Sequence, residues 1–297
     1  MKVTLNRTEF MQELQTVQRA ISSKTTIPIL TGVKLVLTDK GLTLTGSNAD
    51  ISIETFLSVE KEKVQMKIEQ TGAIVLQARF FSEIIRRLPD NTVTLEVIEN
   101  NQVAITSGKA NFTVNGLDAD SYPHLPVVES QDRIEVPAHI LNKIVNETVF
   151  AVSQHESRPI LTGVHFVLEN KKLLAVATDS HRLSQRVIPL ESGEANFNIV
   201  IPGKSLTELS RSLTDEEEAI QISIMDNQVL FQTNTMKFYS RLLEGTYPDT
   251  NRLIPSSFNT EIEFSVPELL SAIERASLLS HEGRNNIVRL SINEDSV

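Results

Sequence analysis

The 297-residue sequence contains no cysteine. This absence excludes disulfide bonds, thiolate zinc sites, iron–sulfur clusters and cysteine nucleophiles, and it favours a reducing compartment. No stretch approaches the roughly 18 consecutive apolar residues of a membrane span, and no apolar signal segment follows Lys2. We therefore predict a cytoplasmic protein with no membrane partner.

Aromatic rings and positive charge are also scarce. Tryptophan is absent and tyrosine occurs only 3 times, so few rings are available for stacking single-stranded bases. The 28 Lys and Arg residues are outnumbered by 38 Asp and Glu residues, which gives a formal net charge of -10. A surface uniformly coated with nucleic acid is therefore disfavoured, and any such contact needs positive charge gathered on particular elements.

An internal repeat organises the chain, whose length alone allows about two domains. Ile29–Leu37 returns 131 residues later as Ile160–Leu168, and seven of the nine positions are identical. Two weaker matches are those of 74–84 with 199–209 and of 121–123 with 246–248. We predict a first copy over residues 1–126, a second over 127–255 and the start of an incomplete third over 256–297.

Each full copy has the pattern of an α+β domain. In the first copy, Asn6 and Glu9 predict a capping box at the start of a helix, and a second helix is predicted over 79–88. Apolar and polar residues alternate with period two, which predicts strands at 33–37, 42–45, 51–59, 93–97, 102–106 and 111–114. In the third copy we predict a helix over 268–280 and a strand over 287–292. The pattern is typical of antiparallel sheet with helices on one side.

Basic residues recur at matched positions on the second helix of each copy. They are Arg79, Arg86 and Arg87 against Glu83 in the first copy, and Lys204 and Arg211 against Glu208 in the second. Two interpretations stay open. The faces are either solvated surfaces of mixed charge or a surface that binds the phosphate backbone of duplex without sequence preference.

Signals for nucleotide or metal chemistry are weak. Gly203-Lys204-Ser205 ends like a phosphate-binding loop, but Asn198 stands where the first glycine of that loop belongs. The six histidines include no pair at the spacing of a helical metal site. We predict no nucleotide site, no metal and no cofactor.

The segment Thr178–Arg182 holds Asp179, Ser180 and His181 side by side. Together they resemble the members of a hydrolase triad. Neighbouring residues on a strand point to opposite faces, so three of them rarely meet at one reacting atom. We favour a polar turn in which Asp179 accepts local hydrogen bonds, and a binding surface is the third interpretation.

Three segments carry a resemblance to a known family, namely 28–30, 177–183 (ATDSHRL) and 245–249 (GTYPD). With them, the chain resembles the bacterial sliding clamps, the beta subunit of DNA polymerase III, over its whole length. The resemblance implies tandem clamp domains, antiparallel sheets outside and two helices per domain lining the inner face of a ring. It further implies a processivity factor without catalytic residues that encircles double-stranded DNA and tethers the polymerase. Since encirclement prevents escape, individual phosphate contacts can be weak and screened by salt.

The resemblance also assigns roles to particular residues. It implies DNA-facing side chains at Lys24, Arg79, Arg86, His155 and Lys204. It implies an apolar cleft for short linear motifs of polymerases, the clamp loader and repair proteins, lined by Leu161, Thr178, His181, Arg182, Leu183, Pro248 and Leu253. It implies a head-to-tail homodimer with an interface at Phe81, Ile85, Leu278 and Leu279.

The residues by themselves leave two alternatives to a clamp. One is a protein-interaction module that binds no DNA, whose basic helices are only solvated faces. The other is a hydrolase that uses Ser180, His181 and Asp179. Charge reversal at Arg79 and Lys204 would leave DNA loading unchanged under the first alternative, and the second requires a turnover that Ser180→Ala abolishes.

Overall fold

The structure is a computed structural model that describes residues 1–125, 133–190, 195–213, 218–225, 227–278, 280 and 287–293. The chain forms two compact units, Met1–Pro248 and Asp249–Val297. The boundary that we predict between the first two copies, at Pro126, lies outside the described residues. The predicted limits of the three copies therefore remain predictions.

The first copy begins with a strand that leads directly into a helix. Its elements are β1 (Lys2–Asn6), α1 (Arg7–Gln18), β2 (Gly32–Thr38), β3 (Gly41–Ser47), β4 (Ile51–Ser58), β5 (Lys67–Gln70), β6 (Gly72–Gln77), α2 (Ala78–Arg86), β7 (Thr92–Val97), β8 (Gln102–Ser107) and β9 (Ala110–Leu117). Asn6 caps α1, because its Oδ1 accepts hydrogen bonds from the backbone N–H groups of Thr8 at 2.9 Å and Glu9 at 3.2 Å. The Glu9 carboxylate pairs instead with Lys61 Nζ at 3.1 Å. The asparagine half of the predicted capping box is therefore present.

The second copy repeats this order of elements, except that its described residues include no counterpart of β5. They are β10 (Arg133–Pro137), α3 (Ala138–Thr148), β11 (Gly163–Glu169), β12 (Lys172–Thr178), β13 (Leu183–Pro189), β14 (Phe197–Pro202), α4 (Gly203–Ser212), β15 (Ala219–Met225), β16 (Gln228–Gln232) and β17 (Met236–Arg241). A short 3₁₀ turn precedes β2 at Pro28–Thr31, and its counterpart precedes β11 at Pro159–Thr162. The repeat in the sequence is thus a repeat in the structure.

The second unit contains the helix α5 (Val266–Ser277), close to the predicted range of 268–280. The strand that we predict over 287–292 is wrong, because residues 287–293 have no regular secondary structure. A strand needs a neighbour that takes up its backbone hydrogen bonds. Among the described residues of this unit, no paired strand supplies one.

The first unit is built on antiparallel sheets. One sheet of 13 strands has the order β10-β15-β16-β17-β4-β3-β2-β6-β9-β8-β7-β1-β5, and a sheet of 4 strands has the order β13-β12-β11-β14. The two copies join where β4 pairs with β17, with Phe238 opposite Ile53. This pairing makes one continuous sheet across the junction between the copies.

The main core lies between these sheets and the helices. Period-two alternation is complete in β4, where Ile51, Ile53, Thr55 and Leu57 are buried and the side chains that alternate with them are half-buried. From α1, Phe10 and Leu14 are fully buried against the sheet. The predicted α+β class, with antiparallel sheet and helices on one of its faces, is confirmed.

In the described part of the chain, every helix is too short or too polar to cross a bilayer.

Candidate functional site

The helices of both copies form one layer. Phe10 of α1 and Phe81 of α2 pack edge to face, with ring centroids 5.8 Å apart. In the second copy α3 packs against α4. Arg19, at the end of α1, reaches across the junction, and its Nη1 lies 3.5 Å from Oε2 of Glu208 on α4. The order of helices in the layer is therefore α2, α1, α4, α3.

Arg79 and Lys204 occupy equivalent places in this layer. Each is the second residue of its helix, α2 or α4, and each is exposed. Neither has an ion pair with any residue that the structure describes. An exposed cation without an ion-pair partner keeps its charge available for a phosphate. The geometry thus offers one such cation from each copy.

Lys24 and His155 form a second equivalent pair. Both are exposed and follow the first helix of their copy. The Lys24 N–H donates to Ser22 Oγ at 3.1 Å, and the His155 N–H donates to Ser153 Oγ at 3.1 Å. The same small turn therefore presents a basic residue type in both copies.

Arg86 differs from the other predicted DNA-facing residues because its charge is already compensated. Its guanidinium pairs with Glu83, which also pairs with Arg87 at 3.1 Å. The hydrogen bond from Arg86 is the main cause that lowers the pKa of Glu83. The second copy repeats the arrangement, with Arg211 Nη1 2.9 Å from Glu208 Oε1. Arg86 is thus less available to a phosphate than Arg79.

Two of the predicted cleft residues, Leu161 and Leu183, lie on the sheet face opposite the main core. Leu161 is buried in a small apolar cluster with Val176, Val200 and Tyr247, and Leu183 is packed against it. The sequence analysis did not identify Val176, Val200 and Tyr247 as members of this cluster. The recurring Tyr-Pro pair could have indicated Tyr247. The alternation of apolar residues along β12 and β14 could have indicated Val176 and Val200. Pro248 follows Tyr247 and is exposed, whereas Leu253 belongs to the second unit and is also exposed.

A tight turn joins β12 to β13 at the rim of this cluster. Thr178 Oγ1 donates to the carbonyl of Arg182 at 2.7 Å, and the Thr178 N–H donates to the Tyr247 hydroxyl at 3.1 Å. The turn presents His181 and Arg182 to solvent. The Arg182 guanidinium lies over the ring of Phe150, 5.7 Å from its centroid, and Phe150 is itself exposed. Phe150 is a further surface residue that the sequence pattern did not reveal.

The three residues of the hydrolase hypothesis do not form a triad. Asp179 Oδ1 accepts the N–H groups of His181 at 2.9 Å and Arg182 at 3.0 Å, and Oδ2 accepts Arg182 Nε at 3.0 Å. These bonds, led by the one from the His181 N–H, lower the pKa of Asp179. The carboxylate therefore holds the turn together and does not orient the His181 ring, as the polar-turn interpretation predicts.

The predicted dimer contacts on α2 need correction. Phe81 and Ile85 are 1% and 0% exposed, because both face the core beneath the helix. A buried side chain is not available to a second chain. The neighbouring Phe80 is 61% exposed and carries the apolar surface of this helix. Leu278, at the end of α5, is 71% exposed, and Leu279 lies outside the described residues.

The described residues contain no group of three or more acidic or histidine side chains that could hold a metal ion.

Comparisons with known proteins agree with this architecture. Sequence models for the N-terminal, central and C-terminal domains of the DNA polymerase III beta subunit match residues 1–126, 135–249 and 251–297 in that order. The beta sliding clamp of Bacillus subtilis strain 168 is 53% identical over 293 residues, which cover 98% of this chain and 78% of the relative. That of Streptococcus pneumoniae serotype 4 is 48% identical over 295 residues, covering 99% of this chain and 78% of the relative.

Solved structures give the same result. The crystal structure of the DNA polymerase sliding clamp from Bacillus subtilis matches with a TM-score of 0.93 and 52% identity, covering 96% of this chain and 76% of that one. The crystal structure of the beta chain of DNA polymerase III from Streptococcus pneumoniae has a TM-score of 0.93 and 48% identity, with the same coverage of 96% and 76%. The tandem copies and their shared helix layer are those of a clamp protein. The chain belongs to the DNA polymerase III beta subunit family, and its function is that of a DNA sliding clamp in replication.

Proposed function

We propose that this clamp encircles duplex DNA with its helix layer inward and holds the replicative polymerase there by topology. The layer formed by α2, α1, α4 and α3 carries the proposal, because it presents exposed basic residues from two copies at equivalent positions. These are Arg79 with Lys204 and Lys24 with His155. A repeated arrangement of this kind offers phosphates the same contact from successive copies.

Weak binding is part of this proposal. The chain has a net charge of -10, and the cations of the layer are exposed, so salt screens each phosphate contact. Such contacts position DNA without reading its sequence. Encirclement prevents dissociation while leaving the protein free to move along the duplex.

Retention on circular and linear DNA tests the encirclement. The clamp is loaded onto nicked circular duplex and onto the same duplex after linearisation, and the bound fraction is followed by gel filtration. We expect long retention on circles and rapid loss from free ends. Equal rates of dissociation from circular and linear DNA would contradict encirclement. If these equal rates also rose with salt concentration, they would favour a binding module that holds DNA by charge alone.

The cleft around Leu161 and Leu183 is proposed to bind short linear motifs of DNA polymerases, the clamp loader and repair proteins. Its floor is apolar, and His181 and Arg182 provide a polar rim. A floor of this kind suits apolar anchor residues of a peptide, and a charged rim suits the carboxylates or carbonyls beside them. Leu253 is proposed as a second anchor contact.

An array of overlapping 15-residue peptides from the replicative polymerase of the same cell supplies a probe for this cleft. Calorimetry with the tightest peptide compares the wild type with the double variant Leu183→Ala and Leu253→Ala. We expect a loss of about 1 to 3 kcal/mol in binding free energy. Val187→Ala is the matched control, because Val187 is an exposed apolar residue of the same strand. An unchanged affinity in the double variant would refute the proposed anchors.

We infer that two chains join head to tail through the free edge of β9. The hairpins β8–β9 and β16–β17 are equivalent, because Ile105 faces Phe112 as Phe231 faces Phe238. At the junction of the copies, β17 pairs with β4 and Phe238 is fully buried. Phe112 is 44% exposed, and along 110–115 the only described partner of β9 is β8. An apolar strand edge of a second chain would complete this edge.

The same proposal assigns no catalytic step and no cofactor to the chain, which would work in the cytoplasm beside the replication machinery. The Asp179 carboxylate accepts three hydrogen bonds within its own turn. Ser180→Ala is therefore expected to leave DNA retention unchanged.

A further inference from the structure

A histidine lies beside the tyrosine of the partner cleft. His165 is on β11, on the sheet face that carries the cleft, and its ring stacks on Tyr247 with centroids 4.7 Å apart and planes at 26°. The His165 Nε2–H donates to Asn198 Oδ1 on β14 at 2.7 Å. This hydrogen bond fixes the plane of the imidazole, and the stack aligns the tyrosine ring with that plane.

The other end of the tyrosine reaches the turn of the cleft. The Tyr247 hydroxyl accepts the buried Thr178 N–H at 3.1 Å. Thr178 Oγ1 accepts the Ser180 N–H at 3.1 Å and donates to the Arg182 carbonyl at 2.7 Å. The contacts therefore run without a gap from Asn198 to the turn that presents His181 and Arg182.

The first copy shows what varies in this arrangement. At the place of His165 it has Lys34, whose ammonium lies 5.9 Å from the centroid of the Tyr122 ring. Asn48 closes the equivalent turn as Asp179 does, since its Oδ1 accepts the N–H groups of Asp50 and Ile51. The tyrosine and the turn are thus common to both copies. The two copies differ at the residue beside the tyrosine ring, which is Lys34 in the first copy and the hydrogen-bonded imidazole of His165 in the second.

A lysine and a histidine hold a ring in different ways. An ammonium is a point charge that attracts the ring face without stacking on it. A stacked imidazole that is itself anchored restricts the tilt of the ring, and with it the position of the hydroxyl. The second copy therefore combines a tyrosine ring stacked on an anchored imidazole with a tyrosine hydroxyl that accepts the Thr178 N–H.

We propose that His165 is a positioning residue for the partner cleft. It holds the Tyr247 ring, and through the Tyr247 hydroxyl it sets the Thr178 backbone and the turn that presents His181 and Arg182. This inference rests on the proposed motif-binding function of the cleft. It gives His165 an effect on motif affinity that passes through Tyr247.

Four variants test the inference. His165→Ala removes the stack and the hydrogen bond, His165→Phe keeps a flat ring, and Asn198→Ala removes only the anchor of the imidazole. Lys34→Ala makes the corresponding change in the first copy and is the matched control. Two quantities are measured, namely the amide hydrogen exchange rate of Thr178 in the free protein and the calorimetric affinity for the tightest peptide of the polymerase array.

In His165→Ala we expect faster exchange at Thr178 and an affinity lower by about two- to tenfold, the range of an aromatic pair. His165→Phe should recover most of both, and Asn198→Ala should show a smaller change in the same direction. Lys34→Ala should alter neither. Should His165→Ala fail to fold, Asn198→Ala provides the same comparison, because that side chain is exposed and its loss leaves the stack in place.

Unchanged Thr178 exchange in both His165→Ala and Asn198→Ala would overturn the inference. So would a failure of His165→Phe to recover affinity, or an equal loss in Lys34→Ala. If Leu183→Ala weakens the peptide and His165→Ala does not, only this inference fails. If the wild type binds no peptide of the array, the proposed cleft fails, and the positioning role fails with it.

Discussion

Asn6 shows how a single side chain starts an element of this clamp. Its Oδ1 takes two backbone N–H groups that the first turn of α1 leaves without a partner. Asn6→Ala is expected to lower the free energy of unfolding by about 1 kcal/mol, measured by urea denaturation. Gln77→Ala is the control, because Gln77 precedes α2 without a side-chain capping bond. Equal losses in the two variants would contradict a capping role for Asn6.

Glu13 is the residue whose ionisation opposes folding. Burial raises the pKa of this carboxyl above its ordinary value of 4.5, and Thr55 and Lys61 offset only part of the effect. A group with a raised pKa binds more protons in the folded chain, so the free energy of unfolding falls as pH rises from 4.5 towards the raised value. Above that window, the ionised carboxylate remains a constant cost to stability.

Glu13→Gln removes this cost. The gain of the variant in free energy of unfolding over the wild type should grow as pH rises through the same window and then level off. Denaturation curves at intervals between pH 4 and pH 8 give the measurement. Glu60→Gln, at an exposed turn, controls for the loss of one negative charge. A gain that is constant with pH would rule out the burial argument.

At the scale of elements, the junction between the two copies depends on the pairing of β4 with β17. Phe238 is fully buried there and packs edge to face on Phe231, with centroids 6.3 Å apart. Phe238→Ala is expected to lower the free energy of unfolding by about 3 to 5 kcal/mol, since it leaves a cavity in a closed junction. Phe112→Ala, the equivalent change on β9, should lower it by only about 1 kcal/mol. Losses of similar size would mean that burial at the junction does not distinguish the two positions.

At the scale of the whole molecule, the β9 edge is proposed to form the dimer interface and the helix layer to contact DNA. For the edge, Phe112→Asp is expected to reduce dimerisation, because it adds a charge to a strand that needs an apolar partner. Sedimentation velocity over a range of concentrations measures this. Phe80→Asp is the matched control, since Phe80 is exposed on α2. If only the Phe80 change reduces dimerisation, α2 carries the interface and the β9 proposal is wrong.

The salt dependence of duplex binding tests whether the helix layer contacts DNA. The double variant Arg79→Ala and Lys204→Ala is expected to reduce the slope of log affinity for linear duplex against log salt by about 2. Arg86→Ala with Arg211→Ala removes the same charge from residues that already pair with Glu83 and Glu208, so its slope should change less. Fluorescence anisotropy at several salt concentrations gives both slopes. A larger change of slope in the Arg86 and Arg211 variant would show that these two residues, and not Arg79 and Lys204, contact DNA.

Particular residues show how far the sequence could be interpreted. Strand β2 was predicted at 33–37 and found at Gly32–Thr38, because alternation marks a strand with one buried face. The family resemblance implies an interface at Phe81, but Phe81 is buried and the neighbouring Phe80 is exposed. Adjacent residues on a helix point about 100° apart, so the pattern shows that α2 is amphipathic. It does not show which phenylalanine the sheet beneath will cover.

The sequence by itself determined the repeated copy, the class of its elements and the family, because these follow from local periodicity and from motifs that lie within one segment. The tertiary structure alone decided that β4 and β17 merge two copies into one sheet, that Glu83 compensates Arg86, and that His165 stacks on Tyr247. These contacts join residues that are far apart in the chain. Their geometry depends on how the sheets twist and pack, which no single segment encodes.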